Sequence, residues 1–131
     1  MATNRRTIHG PEKISYPERG EIYLTALDPT LGREIKKTRL ALIIQNDVSN
    51  RLSDITIVAP ITSTVRFPLN PVHVLLEANP LTGLAVTSVA LLNQVRAVDR
   101  IRLIRRLGVV NEATLEMVDE ALKISLGLIR F

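Results

Sequence analysis

The chain has 131 residues, about the size of one domain, and 46% of them are hydrophobic while only 3% are aromatic, so the core must be built mainly from aliphatic side chains. It contains no cysteine, which excludes disulfides, thiol nucleophiles and cysteine-ligated zinc. The net charge of +4 favours anionic partners, and the cations concentrate in residues 33–39 (REIKKTR) and 99–106 (DRIRLIRR). Either cluster also fits an ordinary solvated face.

The first residues, MATNRRTIHGPEK, lack the apolar region of a secretory signal, and no apolar run approaches about 18 residues. We therefore expect a soluble, cytoplasmic protein that does not enter a membrane. The two histidines, His9 and His73, are far apart, and no phosphate-loop or metal-binding motif is present. We expect neither a metal nor another cofactor.

Residues 1–18 are polar and contain glycine and proline, which predicts a loosely attached N-terminal arm, possible disorder included. Residues 19–131 are predicted to form one domain. Its first strand is GEIYLTAL (20–27), whose alternation is typical of a half-buried strand. DPTLG then predicts a turn, and REIKKTR continues it as a loop.

Three further strands are predicted in the middle of the chain. LALIIQN (40–46) is a continuous apolar run, as in a strand buried on both faces, and a polar connection follows it. ITIVAPIT (55–62) is rich in β-branched residues, and its Pro60 predicts an edge, a bulge or a strand end. TVRFPLNP (64–71) predicts a loop, PVHVLL a strand and NPLTG a turn.

The last third of the chain ends in a helix. VTSVALL and QVRAV predict two short strands or one bent strand, and DRIRLIRRL (99–107) predicts a short helical turn that ends at Gly108. Asn111 is a good helix N-cap, with Glu112 in the first turn. Two adjacent apolar stripes follow, which predict a wide face packed on a sheet: Leu115, Val118, Leu122, Ser125 and Ile129, then Met117, Ala121, Ile124 and Leu128. The predicted class is α+β, mostly antiparallel.

Without cysteine or metal ligands, the chemistry available is that of arginine, carboxylate, hydroxyl and imidazole groups, which suits phosphodiesters. Arg39 lies where a loop meets a buried strand, so its backbone should be fixed and its guanidinium exposed for a phosphate. Glu34 could pair with Arg39 or accept a proton, but the spacing alone favours an ordinary loop salt bridge of little energetic consequence. Thr62 and Ser63 end a strand, where hydroxyls bind phosphate or, more commonly, cap a turn. His73 could exchange protons, but a lone strand histidine is more often structural.

Taken in order, several segments resemble the MazF/PemK-like toxins. They are RGEIYLTALDPTLGREIKKTR (19–39), LALIIQND (40–47), IVAPITS (57–63), PVHV (71–74), SVALLNQVRAVDRIRL (88–103) and DEALKISLGLI (119–129). The resemblance implies an SH3-like small β-barrel with a C-terminal helix packed on the sheet, assembled as a homodimer. It also implies a metal-independent endoribonuclease of a toxin–antitoxin module, which cleaves single-stranded RNA, often mRNA, at short motifs. The 2′-hydroxyl attacks the adjacent phosphate, leaving 2′,3′-cyclic phosphate and 5′-hydroxyl ends.

The resemblance also assigns residues. Arg39 and Thr62 occupy the catalytic positions of the family, and Glu34 matches an acidic position implicated in some members. The expected RNA contacts are Arg33, Lys36, Lys37, Ser63, Arg66, Gln94 and Arg96. The cognate antitoxin is expected to insert a disordered acidic segment into the same groove and block RNA.

One residue departs from the family pattern, in which proline commonly follows the catalytic arginine: this chain has Leu40, which restores an N–H and frees φ. Two rival functions share the fold. One is a toxin that acts on gyrase through its C-terminal helix, and the other is an inactive relative that binds RNA or antitoxin. Neither the cleavage motif nor the antitoxin's identity follows from the sequence.

Overall fold

A computed structural model describes residues 16–27 and 38–130 and shows a seven-stranded sheet with a C-terminal helix. The elements in chain order are β1 (Glu21–Ala26), β2 (Thr38–Ile43), α1 (Asp47–Leu52), β3 (Ile55–Thr62), β4 (His73–Leu76), β5 (Ser88–Leu91), β6 (Arg96–Asp99), a 3₁₀ turn (Arg100–Arg102), β7 (Leu103–Val109) and α2 (Glu112–Ser125). Every strand pair in the described residues is antiparallel. The predicted class, an antiparallel α+β fold with a C-terminal helix, is confirmed.

The strand order is β4-β5-β3-β2-β1-β7, and β6 also pairs with β3. The long strand β3 has β2 on one side, while its other side pairs first with β6 and then with β5. Pro60 lies within β3, opposite Ala41, where the partner changes from β6 to β5. The Ile44 N–H donates to the Ile57 carbonyl on β3 (2.9 Å). Because the main-chain nitrogens of β3 face its two neighbours alternately, the Pro60 nitrogen faces away from β2, toward the gap between β6 and β5. Pro60 therefore lies inside the strand but at a local edge, since neither β6 nor β5 pairs with it on that side.

Two cores cover the two faces of the central strands. One lies between the sheet and α2 and includes Ile22, Leu42, Ile61 and Val118. The other lies on the opposite face and consists of Tyr23, Leu27, Ala41, Ile43, Val58 and Val98, with Leu103 packed against it. The prediction that β1 is half-buried is wrong, because β6 and the start of β7 cover its second face.

A close backbone contact brings the two ends of the sheet together. The Val109 N–H on β7 donates to the Leu81 carbonyl in the turn after β4 (3.0 Å). A Cβ on Gly108 would lie 2.3 Å from the Leu81 carbonyl oxygen, and one on Gly83 would lie 2.3 Å from the Leu107 carbonyl oxygen. Only glycine fits at these two positions, and the contact curls the sheet toward a barrel.

The helix α2 begins as predicted, since the Asn111 side chain accepts from the Thr114 N–H (2.8 Å) and caps it. Only part of the predicted apolar face is covered: Val118 and Ala121 are buried, whereas Met117 is 51% exposed. The helix ends at Ser125, so Leu128 and Ile129 do not extend its stripes.

Two elements differ from the predictions. The polar connection after β2 contains the six-residue helix α1, capped by Asn46, whose side chain accepts from the Ser49 N–H (2.8 Å). The predicted helical turn over 99–107 is limited to Arg100–Arg102, and the rest is strand β7. VTSVALL and QVRAV form two strands, β5 and β6, rather than one bent strand.

Candidate active site

Two adjoining cavities lie where β2 begins and β3 ends, and Thr62 lines both. The cavity toward β2, about 360 Å³, is lined by Arg39, Leu40, Ile61, Thr62, Ser63, Leu84, Ala85, Val86 and Ser88; we call it the arginine cavity. The other, about 330 Å³, is lined by Thr62, Thr64, Arg66, Pro68, Leu69, Asn70, His73, Val89 and Leu91; we call it the loop cavity.

The register of the central strands places Arg39 beside Thr62. The strands β2 and β3 pair at Ala41–Pro60, Leu42–Ala59 and Ile43–Val58. Continuing this antiparallel register by two residues sets Arg39 opposite Thr62, on the same face of the sheet. The pairing ends before that point, and the arginine cavity occupies the place where the two strands part.

The backbone of Arg39 is held by the strand on its other side. Arg39 pairs with Thr25 of β1, whose side chain is fully buried, while the Arg39 side chain itself is exposed. A fixed backbone with an exposed guanidinium is what the sequence predicted for this position. Such a group is suited to contact a phosphate.

Thr62 caps a turn, which is the commoner of the two roles that the sequence left open for it. Its Oγ1 accepts from the Thr64 N–H (3.1 Å), so it caps the turn that follows β3. The same half-buried side chain lines both cavities. Since the hydroxyl oxygen is held by this bond, its hydrogen remains available to donate to a ligand. Ser63 is exposed and lines the arginine cavity.

The loop cavity adds two basic groups. Arg66, in the exposed loop after β3, and half-buried His73, the first residue of β4, both line it. None of the described residues that line the two cavities is aspartate or glutamate. Phe67, between Arg66 and Pro68, is 73% exposed. The two cavities together therefore present a basic surface with an aromatic side chain beside it.

The second basic cluster, in contrast, has structural partners. Arg100 pairs with Asp54 (3.1 Å), Arg102 donates to the Ala26 carbonyl (3.1 Å), and Arg106 donates to Glu21 (2.7 Å). Glu21 is only 2% exposed, so the Arg106 bond compensates a buried carboxylate. Arg106 holds β7 against β1, while Arg100 and Arg102 hold the preceding 3₁₀ turn against its neighbours.

The remaining predicted contacts lie elsewhere or outside the described residues. Gln94 is in the turn between β5 and β6, and Arg96 begins β6 opposite Val58. Neither lines the two cavities, and their RNA contact stays a prediction. Four other predicted residues, Arg33, Glu34, Lys36 and Lys37, fall in 28–37, and His9 and most of the predicted arm fall in 1–15. The structure describes neither range.

No group of three histidine, aspartate or glutamate side chains in residues 16–27 and 38–130 is arranged to hold a metal ion. Neither helix in this part of the chain has the length and apolar character needed to cross a bilayer.

One wall of the arginine cavity was missed by the sequence reasoning. It consists of Leu84, Ala85, Val86 and Ser88, in the connection that leads into β5. Ser88 is buried, and its hydroxyl donates to the Val86 carbonyl (2.9 Å). The sequence signal for this wall is weak, because its residues are small or aliphatic and carry no charged group.

Comparison with known proteins gives consistent results. A family model described as "PemK-like, MazF-like toxin of type II toxin-antitoxin system" matches residues 18–126. The chain is 40% identical over 114 residues to "Endoribonuclease EndoA" of Bacillus subtilis, covering 87% of this chain and 97% of that protein. It is 42% identical over 113 residues to "Endoribonuclease MazF" of Staphylococcus epidermidis, covering 86% and 93%.

Solved structures agree with these sequence matches. A MazE-MazF crystal structure from Deinococcus radiodurans has a TM-score of 0.74 at 25% identity, covering 88% of this chain and 100% of that one. An endoribonuclease in complex with its cognate antitoxin, from a mycobacterial species, has a TM-score of 0.69 at 26% identity, covering 88% and 99%.

Proposed function

Because the chain belongs to the PemK-like, MazF-like toxin family of type II toxin–antitoxin systems, we propose that it is a toxin-type endoribonuclease that cleaves single-stranded RNA at a short sequence motif. One observation carries the proposal. Arg39 and Thr62, the residues that the family resemblance marks as catalytic, line one cavity although they are 23 positions apart in the sequence. The relatives named endoribonucleases support the same activity.

The proposed chemistry is an internal transesterification. The 2′-oxygen of one nucleotide bonds to the adjacent phosphorus, and the bond from phosphorus to the 5′-oxygen breaks. The 2′-hydroxyl gives up its proton and the departing 5′-oxygen gains one, so the products are a 2′,3′-cyclic phosphate and a 5′-hydroxyl. Neither a metal nor another cofactor takes part in this proposal.

Each residue has a defined task. A guanidinium is essentially always protonated, so Arg39 acts by neutralising the charge that grows on the phosphoryl oxygens. Thr62 donates its hydroxyl hydrogen to one of these oxygens, because its oxygen already accepts from the Thr64 N–H. Glu34 is proposed, from the sequence alone, to orient Arg39 or to assist proton transfer.

The RNA strand is proposed to continue from the arginine cavity into the loop cavity. Arg66 would pair with a phosphate there, while Ser63 and His73 contact neighbouring nucleotides. The exposed ring of Phe67 offers a face for stacking a base. From the sequence, the basic residues Arg33, Lys36 and Lys37 are proposed to follow the backbone on the other side of Arg39.

The proposal includes a protein partner and an assembly. An acidic antitoxin segment would fit the same two cavities, since Arg39 and Arg66 line them without an opposing carboxylate among the described residues. The similar mycobacterial endoribonuclease, which was solved in complex with its cognate antitoxin, supports a partner of this class. We propose that the protein is a homodimer that acts in the cytoplasm.

The test uses purified protein and a long single-stranded RNA in EDTA, with the product ends mapped by sequencing. The proposal predicts cleavage at a recurrent motif, with 2′,3′-cyclic phosphate and 5′-hydroxyl ends, in the wild-type protein. Intact RNA would contradict it. A DNA-gyrase supercoiling assay with the same protein would then distinguish the rival toxin, which inhibits gyrase, from an inactive RNA or antitoxin binder.

A further inference from the structure

The main-chain N–H of Leu40 faces β3, and Leu40 lines the arginine cavity. Along β2, the residues whose N–H faces β3 alternate with those whose N–H faces β1. Ile44 faces β3, because its N–H donates to the Ile57 carbonyl (2.9 Å). Counting back by twos, Leu42 and then Leu40 also face β3.

Two further observations define the surroundings of this N–H. In the described residues, Ala41–Pro60 is the last pair between β2 and β3 on the side where β2 begins. Leu40 precedes Ala41 in the chain and so lies just beyond this last pair. The next position on β3 is Ile61, which together with Leu40 lines the arginine cavity. The Leu40 N–H is therefore directed toward the place where the strands part, between the positions of Arg39 and Thr62.

The same geometry predicts that a proline at position 40 would be compatible with the pairing of β2 and β3. A residue whose N–H faces the parting of two strands loses no ladder bond when that N–H is absent. A proline there leaves the cavity with two side-chain donors, those of Arg39 and Thr62. Leucine adds a main-chain donor to the same cavity, at a fixed position in the strand.

We propose that the Leu40 N–H is a third hydrogen-bond donor to the scissile phosphate, so that this chain binds the developing phosphoryl charge with a main-chain group as well as with side chains. The inference rests on the proposed function, because it concerns the same phosphate. A fixed N–H aimed at a charge that grows during reaction acts mainly on the transition state. Its removal should thus lower kcat more than it raises KM.

The test compares three changes at Leu40. Replacing Leu40 by its α-hydroxy acid analogue, through nonsense suppression, turns the amide into an ester and removes the N–H while keeping the side chain. Leu40→Pro removes the N–H as the family does. Leu40→Ala keeps the N–H but loses the half-buried side chain that packs on the core, so it measures the packing cost alone. Thermal melting of each variant checks the fold.

The substrate is a short RNA that carries the motif mapped for the wild-type protein. We expect kcat/KM of the ester variant to be lower than that of the wild type by roughly tenfold or more. We expect kcat/KM of Leu40→Pro to be lower than that of Leu40→Ala by a similar factor. Phosphorothioate substrates identify the contact: sulfur at one non-bridging position should slow the wild type, and this slowing should shrink in the ester variant.

An ester variant that matches the wild type within twofold, with an unchanged phosphorothioate effect, would overturn the assignment while leaving the proposed function intact. Loss of activity in Leu40→Ala equal to that in Leu40→Pro would show that packing alone matters, and would also overturn it. Absence of cleavage by the wild type would instead refute the proposed function, and this inference with it.

Discussion

Asn50 offers a quantitative test of how the segment after β2 is held. It is 1% exposed although it lies in the short helix α1. Its Oδ1 accepts from the hydroxyl of Thr56 on β3 (2.7 Å) and from the side-chain amide of Gln45 (2.9 Å), and its Nδ2 donates to the Gln45 carbonyl (3.0 Å). Asn50→Ala removes these three bonds together with a longer one from Nδ2 to the Asp47 carboxylate (3.5 Å).

The expected cost follows from what each partner loses. Thr56 is also 1% exposed, so its hydroxyl is left in the interior without its acceptor, which costs about 1–3 kcal/mol. Gln45 is half-buried and its Nε2 still donates to the Ile55 carbonyl (2.9 Å). The free-energy cost at Gln45 is therefore smaller than the cost at Thr56. Together these effects predict a decrease of about 3 kcal/mol in the free energy of unfolding.

The assay is urea unfolding at one fixed protein concentration, because association would otherwise shift the apparent stability. The matched control is Thr56→Val, alone and with Asn50→Ala. Since the double variant has no orphaned hydroxyl, its loss should be smaller than the sum of the two single losses by about 1 kcal/mol. An Asn50→Ala loss under 1 kcal/mol, with additive effects, would refute the reasoning.

Two further predictions concern the sheet contact and the loop cavity. Gly108→Ala should lower the free energy of unfolding by at least about 2 kcal/mol, since its Cβ would lie 2.3 Å from the Leu81 carbonyl oxygen. The control is Gly127→Ala, which should lower it by about 1 kcal/mol. The Cβ of this control meets nothing within 4 Å, and only the φ of +73° opposes it. If urea unfolding gave the two variants equal decreases in the free energy of unfolding, the close contact between Gly108 and Leu81 would be contradicted. Arg66→Ala should reduce the salt dependence of RNA binding by about 0.7 in log–log slope, whereas Arg105→Ala, exposed on β7, should leave it unchanged. A titration in which both variants change the slope equally would argue against the loop cavity as the RNA path.

Hydrophobic pattern predicted the elements that are locally regular. The apolar run of β2, the β-branched β3 and the capped helix α2 were all placed correctly. Strand β7 was missed because Arg105 and Arg106 interrupt its apolar alternation and because its register with β1 shifts twice, so the period of two is lost. The helix α1 was missed since its polar sequence is a poor helix former, and the buried Asn50 network holds it.

The site shows the same division between local and long-range information. Arg39 and Thr62 could be named from the resemblance, and their neighbours in the chain indicated a loop–strand junction and a strand end. That they share a cavity depends on the register between β2 and β3, which no local pattern determines. The direction of the Leu40 N–H follows from the same register. The wall at Leu84–Ser88 follows Gly83, whose close backbone contact is with Leu107 on β7, far from the wall in sequence.

The most direct test of the central claim measures single-turnover cleavage of one RNA by the wild type, Arg39→Ala, Thr62→Ala and the double variant, each shown to be folded by thermal melting. If the two residues stabilise one transition state, each single change should lower the rate at least ~100-fold, and the double change should cost much less than the product of the two effects. Cleavage by Arg39→Ala or Thr62→Ala at the wild-type rate would contradict the account and place the chemistry elsewhere on the protein.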